Sequence, residues 1–238
     1  MSETRPIDYS HGGTAFEGIL VSEPGSGPRP AVIVLHTFAG RGENEVAVAQ
    51  QLAELGYAGF AADLYGKGVF GQTREECAGL MQPLLDDRAL LQDRMLAIVD
   101  TVRALPEVDA ARVAAIGYCF GGLCVLDLAR TGADVRGVAS FHGLFGAPGN
   151  RDGTMIRAKV VAYHGWDDPM VPPEAVTALA AELSAAGADW QILGLGGTMH
   201  GFTNPKANAP ENGVLYNPVA ARRSWASLVR FLEECFEG

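Results

Sequence analysis

The chain has 238 residues, 48% hydrophobic and 19% charged, with a formal net charge of -10 at pH 7. This length suits one domain over 1–238 that buries roughly three quarters of its unfolded surface. The negative balance excludes nucleic acid and anionic membranes as partners, since both require basic patches. With no apolar run near ~18 residues and no charged-then-apolar start, a soluble cytoplasmic protein without span or signal peptide is expected.

In chain order, 14–22 suits a strand and 23–28 a turn-rich loop. The run Ala31-Val32-Ile33-Val34-Leu35-His36 has the pattern of a strand buried on both faces of a parallel sheet. A loop over 37–42 leads into a helix over 43–55, closed by Gly56 and acidic in its first turn. Next come a strand over 57–63, a glycine-rich loop over 64–68, and helical periodicity over 73–82 and 87–105, interrupted near Pro83. Further strands are expected at 112–116, 135–142, 159–164 and 189–195, and helices at 123–130, 173–186 and 217–236, the last with Pro218 at its first position. This alternation predicts an α/β fold, a doubly wound, mostly parallel sheet with ligands at the carboxyl ends of its strands.

Between the strand at 112–116 and the following helix stands Gly117-Tyr118-Cys119-Phe120-Gly121-Gly122. Read as strand, turn and helix, it is a nucleophile elbow with cysteine in the serine position. A strand reversing straight into a helix crowds the positions two before and two after the nucleophile, and a Cβ there would clash. Buried cysteine is common, but no other Ser, Cys or Asp in the chain is flanked by glycine at both positions. Cys119 is therefore the candidate nucleophile. The other cysteines, Cys77, Cys124 and Cys235, show no C-x-x-C or metal-ligand spacing, so no disulfide, metal or cofactor is expected.

A cysteine nucleophile requires a base and a group that orients it. In α/β-hydrolase order these follow as acid, then histidine. His200, in the loop after the strand ending near Leu195, is placed to reach over the sheet edge as base. His142 and His164, near strand ends, are read as loop-orienting or core residues. The acid comes from Asp167 or Asp168 in His164-Gly165-Trp166-Asp167-Asp168-Pro169-Met170-Val171-Pro172, and periodicity does not choose between them.

The elbow, Asp63-Leu64-Tyr65, the segment from His164 to Pro172 and Met199-His200-Gly201-Phe202 together resemble the dienelactone hydrolases, or carboxymethylenebutenolidases, over about residues 14 to 235. The resemblance implies an α/β-hydrolase fold and a Cys119-Asp168-His200 triad, the family's aspartate being separated by two residues from a Val-Pro pair. It also implies an oxyanion hole made by the backbone N–H groups of Phe120 and Phe38. The expected activity is hydrolysis of a small ester or lactone through a thioester on Cys119.

Thr37, Tyr118, Trp166, Phe202 and Arg74 are candidates for the substrate pocket. Two departures bear on substrate. Thr37 stands where the family often has a glutamate beside the resting thiol, and Asn204 where those that hydrolyse dienelactone carry a carboxylate-binding arginine. Both point toward esters or lactones other than dienelactone. The rival readings are a broader thiol esterase or thioesterase, and a non-catalytic protein that binds a ligand or senses oxidants through Cys119. The expected partner is a small molecule, and the protein is expected to be a monomer.

Overall fold

The computed structural model describes residues 2–25 and 27–237. Ser26, within the loop expected at 23–28, lies outside the described residues. The Cα positions cluster into two compact units, Met1–Ile116 and Gly117–Gly238.

The first unit begins with a strand that the sequence pattern did not suggest. β1 (Glu3–His11) pairs antiparallel with β2 (Thr14–Ser22), with His11 opposite Thr14. Gly12 and Gly13 close the hairpin at φ 55 and 80, the backbone that a two-residue turn of this hand demands. Only Ile7 of β1 is buried, so hydrophobic alternation is nearly absent, and Pro6 is tolerated because the strand lies at an edge.

β3 (Arg29–Leu35) is parallel to β4 (Ala58–Ala62), and residues 31–35 are wholly buried, as the continuous apolar run requires. Between them α1 (Glu43–Glu54) is capped by the Glu45 carboxylate, which accepts from the Gly42 N–H. α2 (Arg74–Asp86) opens on a reciprocal Thr73–Glu76 capping box. It runs through Pro83 rather than stopping there. Cys77 and Leu84, seven positions apart on one face, are both buried, and that packing carries the helix past the missing donor. α3 (Arg88–Arg103) is capped by Asp87. β5 (Val108–Tyr118) begins earlier than the expected 112, and the strands of this unit lie in the order β1-β2-β4-β3-β5.

The second unit starts at the last two residues of β5. α4 (Phe120–Arg130) begins at the elbow itself, not at 123, and every residue in it is buried. Arg130, at its end, is held by Asp127 at 3.1 Å and Glu182 at 2.7 Å. β6 (Gly137–Phe141), β7 (Lys159–Gly165) and β8 (Trp190–Leu195) are parallel neighbours in that order, with α5 (Pro173–Ala185) between the last two. Their pairing sets Phe141 beside Tyr163, and Gly165 beside Leu195. The loops that leave these strands at their carboxyl ends therefore emerge side by side. A short hairpin of β9 (Asn208–Ala209) and β10 (Val214–Leu215), too brief to register as a pattern, precedes α6 (Pro218–Phe236). The Asn217 side chain caps α6 by accepting from the N–H groups of Val219 and Ala220. Among the described residues no helix is long and apolar enough to cross a membrane.

Candidate functional site

Steric demand builds the site from the elbow outward. Cys119 sits at φ 55, ψ -113 between β5 and α4, a backbone that costs a non-glycine residue roughly 1–3 kcal/mol and persists only where its surroundings enforce it. A Cβ on Gly117 would lie 2.1 Å from the Gly121 carbonyl oxygen, so the chain can reverse this tightly only with glycine there. The Cys119 N–H is held by the Phe141 carbonyl at 3.0 Å and by His142 Nδ1 at 3.1 Å. Phe120, with its backbone N–H in the first turn of α4, is fully buried.

His200 is carried by the loop after β8, and its backbone is fixed on both sides. Its N–H donates to the Gly213 carbonyl, and its own carbonyl accepts from Leu215. Its ring Nδ1 is 2.7 Å from Asp168 Oδ2, with both residues buried. Because a carboxylate only accepts, Nδ1 carries the proton. Nε2 is buried and, among the described residues, has no hydrogen-bond partner at ordinary distance, although the Cys119 sulfur is near enough to act on the ring. Burial works against charge on this imidazole, but the Asp168 hydrogen bond and the neighbouring Cys119 sulfur outweigh it and push its pKa up to about 10. The carboxylate at this ring is thus that of Asp168. Asp167 is exposed, and its N–H donates to Thr198.

Asp168 is held by its own loop. Its Oδ1 accepts from the Met170 N–H at 2.9 Å, and its backbone is tied to Gly165 and Val171. The acid and base loops are also joined to each other, Trp166 to Leu195 and Asp167 to Thr198. This close approach explains Gly165, where a Cβ would fall 2.6 Å from the Thr198 carbonyl oxygen and 2.7 Å from that of Met199.

Two further histidines stand at the ends of β6 and β7. His142 is buried at φ 39, and its Nε2 is 2.8 Å from Thr203 Oγ1. Burial, then the neighbouring His200, holds its pKa well below the usual histidine range. His164 is buried and pushed down chiefly by desolvation, and among the described residues its Nδ1 has no hydrogen-bond partner, so of the two readings, loop-orienting or core, a fully satisfied core histidine does not describe it. Thr203, the partner of His142, is a site residue that sequence reading missed. Its signal was its place three residues after His200.

The proposed pocket residues of this unit differ in exposure. Tyr118 stacks on Phe141 at 4.8 Å, and Phe202 is fully buried, edge-on to His142 at 5.1 Å. Trp166 is 50% exposed, with its ring edge-on to His164. Asn204 is spent in a turn, where its Oδ1 accepts from the Lys206 N–H at 2.9 Å.

Thr37, Phe38 and Arg74 belong to the first unit. Arg74 is exposed at the start of α2. The loop bearing Thr37 and Phe38 is pinned: His36 Nδ1 lies 2.6 Å from the Thr37 carbonyl, its Nε2 accepts from the Leu64 N–H, and the Tyr65 hydroxyl donates to the Phe38 carbonyl. Asp63 Oδ1 accepts from the N–H groups of Tyr65 and Gly66, which gives the Asp63-Leu64-Tyr65 segment its turn.

Residues 16–236 match the sequence model of the dienelactone hydrolase family. A dienelactone hydrolase-like promiscuous phosphotriesterase from metagenomic libraries is 37% identical, with a TM-score of 0.91 and 98% of each chain covered. An uncharacterized protein of Caenorhabditis elegans is 35% identical over 154 residues, 63% of this chain and 98% of that one. A Bradyrhizobium protein named as a probable 2-oxo-3-(5-oxofuran-2-ylidene)propanoate lactonase is 25% identical, covering 97% of this chain and 95% of that one.

Proposed function

The chain belongs to the dienelactone hydrolase family, with its α/β-hydrolase fold and its activity on esters and lactones, and from that premise we propose that it works through Cys119, His200 and Asp168 by way of a thioester. The observation that carries this reading is the buried Asp168–His200 contact at 2.7 Å, on an imidazole that this carboxylate and the neighbouring Cys119 sulfur push up to about 10 against the cost of burial. Such a base holds its proton at neutral pH beside a sulfur that reacts as thiolate.

In the first half-reaction the Cys119 sulfur attacks the carbonyl carbon, and the oxyanion is received by the Phe120 N–H at the start of α4. The C–O bond to the leaving group breaks, and the departing oxygen takes the Nε2 proton. His200, now neutral, draws a proton from water. The hydroxide attacks the thioester and the C–S bond breaks, which restores thiolate and imidazolium. Asp168 fixes the tautomer and stabilises the charged ring throughout.

Asn204 offers no cation to a substrate carboxylate, and its Oδ1 is already engaged by the Lys206 N–H, which disfavours a substrate that needs an arginine at this position. Neutral small esters and lactones are therefore preferred over dienelactone. The test is a panel of activated esters, neutral lactones, dienelactone and a neutral phosphotriester, assayed with wild type and Cys119→Ala. Expected are turnover of the neutral esters or lactones by wild type, loss of about 10³-fold or more in the variant, and an acyl adduct on Cys119 by mass spectrometry. Equal rates for the two proteins would remove Cys119 from the mechanism.

A further inference from the structure

Cys119 and His142 are the two non-glycine residues with positive φ among the described residues, at 55 and 39, and they touch. Strained backbone of this kind costs free energy and survives where neighbouring contacts over-determine it. At Cys119 the reason is the elbow. At His142 the reason lies in its side chain, which is pinned at both nitrogens.

The Cys119 N–H is shared between the Phe141 carbonyl at 3.0 Å and His142 Nδ1 at 3.1 Å, so Nδ1 is an acceptor and carries no proton. The proton of the neutral ring is then on Nε2, which donates to Thr203 Oγ1 at 2.8 Å. One imidazole therefore bridges the nucleophile's own peptide to the loop that bears His200, three residues before Thr203. The bridge is enclosed, since His142 is 2% exposed, with His200 and Phe202 edge-on to it at 5.1 Å. Left-handed backbone at His142 is what turns its ring back over the elbow while its own N–H still continues the sheet to the Tyr163 carbonyl.

We infer that His142 is a positioning residue: through two directed hydrogen bonds it sets the distance between the Cys119 sulfur and the His200 ring, with Thr203 as its partner. The inference rests on the triad proposed above. It goes beyond it because neither His142 nor Thr203 touches the reacting atoms in that mechanism. His142 acts in its neutral form, since a proton on Nδ1 would face the Cys119 N–H donor to donor.

The test compares wild type, Cys119→Ala, Thr203→Val, His142→Asn, His142→Phe and the double variant His142→Phe/Thr203→Val on one activated ester. Readouts are kcat, KM, melting temperature and the pH profile of Cys119 alkylation by iodoacetamide. Asparagine tolerates left-handed backbone and offers an acceptor to the Cys119 N–H, but it is too short to reach Thr203. Thr203→Val keeps the shape and removes the oxygen.

Expected is a kcat loss of about 100-fold in His142→Phe, the scale of a misplacement near ~1 Å. Losses of about 10-fold are expected in Thr203→Val and His142→Asn. KM should stay within about twofold of wild type in all three, and the alkylation profile should be displaced in each. The double variant should be no slower than His142→Phe, because both changes break one bridge. Should His142→Phe fail to fold, Thr203→Val and His142→Asn decide alone. Wild-type kcat and an unchanged alkylation profile in those two, with Cys119→Ala inactive, would overturn the role of His142 and leave the triad standing. Full activity in Cys119→Ala would instead overturn the triad.

Discussion

His142 and His200 lie ring to ring at 5.1 Å, one directly after β6 and the other in the loop after β8, and both are buried, yet they favour opposite protonation states. Desolvation lowers the pKa of each. Against that common cost, His200 has a carboxylate at 2.7 Å and the Cys119 sulfur nearby, whereas His142 has a backbone N–H on one nitrogen and a threonine hydroxyl on the other. Burial alone therefore does not make a histidine neutral. The decision rests on whether the hydrogen-bond partners are anionic. The neutral ring is suited to holding geometry, and the charged ring to delivering a proton.

The largest break in this contrast comes from removing the charged member. His200→Asn should lower kcat by about 10³-fold or more, the upper range for a lost acid-base group, read in steady-state assays at pH 7.5. Asp168→Asn should cost about 10²–10³-fold, because the amide removes the charge that holds His200 protonated. An Asp168→Asn protein with wild-type kcat would show that the carboxylate is dispensable.

The pH dependence of stability sharpens the contrast, since the two histidines contribute with opposite sign. His200, raised in the folded state, contributes stability that is fully present below the unfolded value near ~6.5. That contribution falls away as pH rises toward about 10. His142 is depressed, so it costs stability as pH falls below that same unfolded value, where the unfolded ring takes a proton that the folded ring refuses. In urea unfolding between pH 5 and 10, His200→Asn should flatten the alkaline loss. His142→Phe should flatten the acid loss. Unchanged slopes in both variants would refute the assignment.

Smaller effects come from the frame. Gly165→Ala should destabilise by about 2 kcal/mol, since the added Cβ meets two carbonyl oxygens that are backbone and cannot rotate away. It should also lower kcat, because Asp168 sits on the displaced loop. The smallest effect belongs to Asp167→Asn, within about 0.5 kcal/mol, since its side chain is exposed and its bond to Thr198 comes from the backbone. A large loss there would mean that the exposed carboxylate does more than line the loop.

Local chemistry was legible wherever one backbone constraint decided the outcome. The elbow could be read from Gly117 and Gly121 around Cys119 because the clash that excludes a side chain is made within five residues. The buried core of β3 could be read from the unbroken apolar run that begins at Ala31, read as a strand over 31–36 where the structure has 29–35. β1 could not, because an edge strand with one buried residue carries almost no alternation. Its only signal was the Gly12-Gly13 turn. Pro83 misled because a helix packed on both sides of a proline tolerates the lost donor.

By itself, then, the sequence determined the alternating α/β order, the elbow and the loop carrying His200, each of which depends on periodicity or on short-range sterics. Residue spacing left Asp167 and Asp168 open and only the family resemblance pointed to one of them; the contact of Asp168 with His200, 32 residues away, is made by the tertiary structure. Tertiary structure alone showed that His142 joins the site through Thr203, 61 residues away. The protonation state of each ring was decided there as well. These are matters of hydrogen-bond direction and buried charge, and they exist only once distant loops have been brought within 3 Å of one another.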